Sequence, residues 1–252
     1  MGIKKAIGLA GFYLLADAIK GRFVAGPSSE DAVKQAKLLK QRGEKSVINI
    51  LGEHAKNHSE AIEFSCQTIK LIRTLAKEGL TDVNVAIKPS QLGLDVAEYL
   101  YLKNIFNILE EAQIYLPGAF VEIDAEDHSY REQALRIAFN CQSFPNQRLA
   151  CQVNRRDAYK ELVEIVEAGI PVRLCKGNAY PGDIVGNKEL RKVFLEMVIY
   201  LIEKGKNPAF ATHDLYILNF IANNFYHKSD KFELELLMGI EKNLSRKAEF
   251  RE

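Results

Sequence analysis

The sequence is poor in the features that mark many functional classes. Its 34 basic and 33 acidic residues nearly cancel, leaving a net charge of +1. With no dense Lys/Arg stripe, there is no electrostatic case for nucleic acid or an anionic membrane surface. The four cysteines, Cys66, Cys141, Cys151 and Cys175, form no CxxC and no metal-ligand spacing. So few thiols fit a reducing compartment rather than a disulfide framework, and a cytoplasmic location is expected. His54 and His58 lie four apart, but no Glu follows His54 as in a zinc-peptidase helix. No metal is expected. Neither GxGxxG nor a Walker A sequence follows any strand candidate, which removes the dinucleotide and P-loop fingerprints. No GxSxG frames a serine nucleophile. Long apolar runs are missing too. The stretch from Ile7 to Ile19 falls short of the roughly 20 apolar residues a membrane helix needs, and Asp17 interrupts it. It reads as an amphipathic helix in an N-terminal extension at about residues 1–22.

What is present is a strict alternation of two kinds of segment. The 252 residues, 47% of them hydrophobic, suffice for one large domain over residues 1–252. Short β-branched runs read as strands: Ser46–Leu51, Val83–Lys88, Ala119–Asp124, Arg148–Val153, Val172–Lys176, Pro208–His213 and Phe232–Met238. They recur every ~25–35 residues, the length of a βα unit. Between them, helical periodicity appears after Ser28, with Gly43 closing that helix. It recurs over Asp95–Leu109, Tyr130–Phe139, Asp157–Ala168, Lys188–Lys204 and Leu215–Phe225. Strict βα alternation predicts a parallel sheet covered by helices. Polar residues close nearly every strand: Asn49, Lys88, Asp124, Gln152, Arg173, Lys176, His213 and Glu235. Polar groups converging from many strand ends suit a barrel mouth better than the single switch point of an open sheet. The expected fold is therefore a distorted (β/α)8-type TIM barrel in which seven strands are evident.

The charges within these apolar runs carry the chemistry. Lys88, Asp124, Arg173, Lys176 and His213 all fall at strand ends, and buried charges must be paired or bound to something. One reading is an internal salt-bridge network, such as Asp124 with Arg173. For the set as a whole a ligand site is favoured. Lys88, Arg173 and Lys176 could receive phosphates, a carboxylate or the negative charge of a reduced flavin. Gly177 would let the backbone approach a ligand closely. Thr212 and Asp214 flank His213 and offer groups to fix its tautomer. Cys175, by strand alternation, is expected to face the helices.

Several segments together resemble the proline dehydrogenase family. RFVAGPSSEDAVKQAKLLKQRG and SVINILGE resemble its first helix and strand. IKPSQLGLD resembles its second-strand lysine motif and VEIDAED its third-strand aspartate motif. CQV carries a fourth-strand glutamine, RLCKGNAY resembles the fifth-strand motif, FATHD the sixth and FELELLMG the seventh. The matches run in order from about Arg22 to about Ile240. The resemblance implies a distorted barrel holding FAD at the strands' carboxyl ends. It implies oxidation of L-proline to Δ1-pyrroline-5-carboxylate, with hydride passing to flavin N5, in proline catabolism. A quinone or other electron acceptor would follow, with peripheral contact at the inner face of a membrane. By position, Lys88 would bind the substrate carboxylate, with Leu237 packing near substrate. Lys88, Asp124 and Arg173 would be catalytic. Asp124, Gln152 and Arg173 would surround the flavin ring, while Lys176, Gly177, Ala179, Thr212 and His213 would hold the rest of the cofactor.

The departures are specific. Asn49 stands where the family has Asp, although Glu53 is retained. Asn178 is inserted before Ala179–Tyr180, and Val153–Asn154 lacks the usual aromatic. The family continues with an eighth strand and a helix whose paired arginines clamp the proline carboxylate. After Ile240 this sequence runs EKNLSRKAEFRE, and neither Arg246 nor Arg251 matches them. These 252 residues alone are therefore expected to turn over proline poorly. The alternatives are a non-catalytic flavin-binding barrel, one subunit of a split enzyme, or an unrelated barrel enzyme acting on a phosphorylated substrate.

Overall fold

The computed structural model describes residues 24–177, 182–184 and 186–240. Its seven strands are β1 (Val47–Asn49), β2 (Asn84–Ile87), β3 (Val121–Ile123), β4 (Gln147–Gln152), β5 (Val172–Cys175), β6 (Ala209–Ala211) and β7 (Glu233–Glu235). All neighbours pair in parallel, in sequence order. Each strand lies inside the segment its sequence predicts, apart from β4, which starts one residue earlier. The N-terminal extension, Ala179, Arg246 and Arg251 lie outside the described residues.

The helices are α1 (Ser29–Gln41), α2 (His58–Lys77), α3 (Glu98–Tyr115), α4 (His128–Asn140), α5 (Ala158–Glu167), α6 (Asn187–Lys204) and α7 (Leu215–Phe225). A 3₁₀ segment, Tyr226–Lys231, leads into β7. Ser28 caps α1, accepting a bond from the Asp31 N–H while the Asp31 side chain reaches back to the cap. Gly43, just past the end, takes φ +75°, as the sequence requires. The α3 helix starts three residues later than expected, because residues 89–96 form turns instead. There the Leu92 N–H reaches the Lys88 carbonyl and the Leu94 N–H the Pro89 carbonyl. Gly93 sits at φ +98°, with Leu100 so close that an added Cβ would lie 2.8 Å from it.

The core is continuous between sheet and helices. Strands β2, β3 and β4 are buried along their full length, which is why their sequences do not alternate. Leu71, Ile72 and Leu75 of α2, Tyr101, Ile105 and Ile108 of α3, and Phe194, Met197 and Val198 of α6 cover the sheet. Two contacts show that the sheet curls. Arg148 of β4 reaches across the interior to Glu233 of β7, 2.6 Å away. Lys45, just before β1, meets the same Glu233 at 2.7 Å. Among the described residues β1 and β7 are the sheet edges, joined by this side-chain bridge rather than by a strand pair. No helix among these residues is long and apolar enough to cross a membrane.

Candidate active site

Parallel strands point their carboxyl ends the same way, so residues closing β1 to β7 share one rim. Lys88 and Asp124 follow β2 and β3 directly, Gln152 ends β4, and Lys176 and Gly177 follow β5. Thr212 and His213 follow β6, and Leu237 lies two residues past β7. The predicted site residues among those described therefore fall at one end of the sheet, with one exception. Arg173 is the second residue of β5, level with Ala150 and Ala209, and sits one layer deeper.

The charges are not isolated. Lys88 Nζ lies 3.0 Å from Glu53 and 3.8 Å from Asp124. Arg173 Nη1 donates to Asp124 Oδ1 at 2.5 Å, and its Nε lies 2.7 Å from Glu235. These carboxylates outweigh burial, which alone would lower the Arg173 pKa, and hold it above its usual value. Asn49 Nδ2 donates to the second Asp124 oxygen at 3.2 Å. An Asp at position 49 would instead set two carboxylates face to face there. Lys176 pairs with Asp214, which also takes Arg191 Nε at 2.8 Å and caps α7 through the Tyr216 N–H. Burial works to raise the Asp214 pKa, but bonds to Arg191 and Lys176 override it and hold it at about 2. The salt-bridge reading thus accounts for the pairing of these ions. Their isolation is no longer an argument for a ligand, whereas their common location remains one.

His213 corrects one expectation. Its Nε2 accepts the Leu237 N–H at 2.9 Å. That bond, rather than Thr212 or Asp214, sets the tautomer and leaves the ring proton on Nδ1. Thr212 Oγ1 instead accepts the Asp214 N–H. Burial lowers the His213 pKa, so the ring is neutral at physiological pH. Leu237 itself is 58% exposed. Cys175 corrects another. It shares the face of Arg173 and points inward, while the fully buried Leu174 faces the helices. Burial pushes the Cys175 thiol up to about 11, so it is no activated nucleophile.

Sequence reasoning missed the layer beneath the rim. Arg148 and Glu122 are fully buried, and Arg148 Nη1 donates to Glu122 at 3.0 Å. Arg148 also covers the Phe120 ring at 4.0 Å and donates to the Asn207 carbonyl. Asn154 was missed as a site residue. Its Nδ2 donates to the Gly177 carbonyl at 2.8 Å, and its own carbonyl accepts the Ile184 N–H. Gly177, at φ +81°, leaves room for the Asn154 side chain: a Cβ there would lie 2.2 Å from Asn154 Oδ1. A third tie was also missed. Glu126 accepts both the N–H and the hydroxyl of Ser90, two residues past Lys88. Ser90 in turn accepts the His54 N–H, next to Glu53. Three rim loops are thereby joined. Charge at a non-terminal position of a buried strand, as in QRLACQ and VEI, was the available signal for Arg148 and Glu122.

No protein-family model matches the chain. Curated relatives do. Proline dehydrogenase 1 of Bacillus subtilis subsp. natto is 31% identical over 226 residues, covering 87% of this chain and 74% of the relative. Proline dehydrogenase of Deinococcus radiodurans is 27% identical over 242 residues, covering 89% and 76%. Proline dehydrogenase 2 of Bacillus subtilis (strain 168) is 24% identical over 231 residues, covering 87% and 74%. Among solved structures, proline utilization A from Bdellovibrio bacteriovorus, inactivated by N-propargylglycine, superposes with a TM-score of 0.78 at 22% identity. The match covers 98% of this chain and 32% of that one, and it supports the barrel-like fold.

Proposed function

The chain belongs to the proline dehydrogenase family of oxidoreductases, and we propose that it oxidises L-proline to Δ1-pyrroline-5-carboxylate with FAD as the electron acceptor. The observation that carries this reading is the shared rim. Lys88, Asp124, Gln152, Lys176, Thr212 and His213 close five adjacent parallel strands, β2 to β6, with Arg173 just beneath.

The residues present fit a flavin dinucleotide. Gly177, at φ +81°, offers bare backbone for close approach. Lys176 and Arg173 supply cations, Gln152 and Thr212 supply neutral hydrogen-bonding groups, and neutral His213 supplies an Nδ1–H donor. FAD, when bound, supplies a two-electron acceptor for the hydride at its N5. Asp124, Gln152 and Arg173 would lie around the ring, and Lys176, Gly177, Ala179, Thr212 and His213 along the remainder.

Lys88 is the substrate-binding group in this reading. Its side chain keeps 19% of its surface exposed, and Glu53 at 3.0 Å and Asp124 at 3.8 Å hold the ammonium in place. A carboxylate could bind there by a charge-assisted bond. The reaction removes a hydride from the ring carbon beside nitrogen and a proton from the nitrogen, leaving a C=N bond. Pre-set cations lower the cost of orienting the substrate for that loss. The test is direct: the purified chain should retain FAD, with a flavin absorbance spectrum, and reduce a dye at a low rate when L-proline is added. Protein that stays colourless after loading with excess FAD would overturn the reading.

A further inference from the structure

The ion-pair network that runs from the rim past Arg173 to the layer beneath holds more negative than positive groups. Its carboxylates are Glu122 from β3, Asp124 after β3, Glu233 and Glu235 from β7, and Glu53 from the loop after β1. Its cations are Lys45, Lys88, Arg148 and Arg173. Five carboxylates thus meet four cations, and an unbalanced charge is costly to bury.

The partners show where the imbalance falls. Glu53 and Lys45 are the most exposed of these groups, at 46% and 60%, and water solvates both, which leaves four carboxylates against three cations. Glu233 has Lys45 at 2.7 Å and Arg148 at 2.6 Å. Asp124 has Arg173, Lys88 and Asn49. Glu122 Oε1 accepts Asn84 Nδ2 at 2.9 Å, and for ionic partners Glu122 and Glu235 share Arg148 and Arg173 with these others. One oxygen on each, Glu122 Oε2 and Glu235 Oε1, is buried with no satisfying hydrogen bond. Oxygens of Glu122, Glu233 and Glu235 lie within 4.8 Å of one another. Two guanidiniums already border the three carboxylates and oppose any added positive charge. A single proton adds the least of it and also gives the two orphaned oxygens a hydrogen-bond donor.

We infer that Glu122 and Glu235 carry one proton between them, and that this carboxyl–carboxylate pair positions the Arg173 guanidinium. A protonated pair presents one negative charge to Arg173, whose Nε lies 2.7 Å from Glu235 and 3.5 Å from Glu122. The other end of the guanidinium then stays with Asp124 at the rim. Burial, and next the Glu122 charge, push the Glu235 pKa up to about 8 despite both arginines. Two like carboxylates in one site commonly retain one proton for this reason. Glu122 and Glu235 are positioning residues. Their bearing on the reaction rests on the proposed flavin site, whereas the shared proton does not.

The proton can be read without flavin or turnover. In the full chain at about pH 6, difference infrared spectra against E235Q and E122Q should show the carbonyl stretch of one buried carboxyl acid. The band should be absent from both variants and should fade in the unmutated protein by about pH 10. Stability follows the same titration. A carboxyl whose folded pKa is raised adds stability that is complete below its unfolded pKa and lost as pH rises through the folded value. The thermal midpoint of the unmutated protein should therefore fall relative to E235Q between about pH 5 and pH 9. If the flavin site also holds, E235Q should flatten the pH dependence of the bound flavin's reduction potential. A colourless protein would refute the flavin reading while leaving the infrared result to judge the proton. Absence of a carboxyl band at about pH 6, its survival in both variants, or its loss on adding Mg²⁺ or Ca²⁺ would overturn the proposal. Should either variant fail to fold, the band's pH titration in the unmutated protein decides alone.

Discussion

Arg173 on β5 reaches past β4 to Asp124, just beyond β3, and donates to it at 2.5 Å. The contact ties the rim to the layer below. It also shows why neither residue can be read alone, since Arg173 meets Glu235 and Glu122 as well. D124A therefore leaves Arg173 with carboxylate partners, and the loss should be smaller than for a stranded buried charge. A double-mutant cycle of D124A with R173A, followed by chemical denaturation, should give a coupling of about 1–3 kcal/mol. Additive single-mutant effects would count against a direct pair.

Asp214 should make stability depend on acid pH. Its folded pKa, about 2, lies below the ordinary value of 3.8. The contribution is present above the unfolded pKa and is lost as pH falls through the folded one. It amounts to about 2 kcal/mol. D214N keeps a good helix cap but loses both ion pairs. At neutral pH it should be about 2 kcal/mol less stable, and the gap should close near pH 2. A gap that persists unchanged in acid would show that the pairs do not set this pKa.

Gly177→Ala should be costly for two reasons: the φ of +81° and the Asn154 side chain where a Cβ would go. Ala at such a φ should destabilise by more than about 1 kcal/mol, a fall of at least about 2–4 °C in Tm. Adding N154A should relieve the steric part and leave the backbone part. Full recovery in the double variant would mean that the strain is negligible.

Loss of the rim cations should weaken FAD. R173A and K176A should each lower flavin affinity roughly 10- to 100-fold, the equivalent of about 1.5–3 kcal/mol for a charge-assisted contact. Equilibrium dialysis measures this. Full flavin occupancy in both variants would move the cofactor site elsewhere.

The backbone was more legible than the interior. The positions of all seven strands could be read because βα spacing and β-branched runs are local signals. The α2 helix, His58–Lys77, did not stand out, and α3 runs six residues past its expected end. The turns holding Gly93 depend on contacts with Ala61 and Leu100 that no window along the sequence displays. In the site, residues at strand ends were legible because a charge interrupts an apolar run. Arg148 and Glu122 were not, since strands buried on both faces hide which side chains point inward. Glu235 was visible as a polar strand end, but its role emerges only when β7 curls towards β3. Asn154 and Glu126 act through bonds to loops at least 23 residues away, which only the folded chain brings together.

The central claim is that proline reduces a flavin held on this rim. Its most direct test is an anaerobic titration of the FAD-loaded full chain with L-proline, following the visible flavin absorbance. The account predicts that L-proline bleaches the flavin and D-proline does not, with K88A needing much higher L-proline concentrations. A flavin that stays oxidised at saturating L-proline, in protein that demonstrably holds FAD, would contradict it.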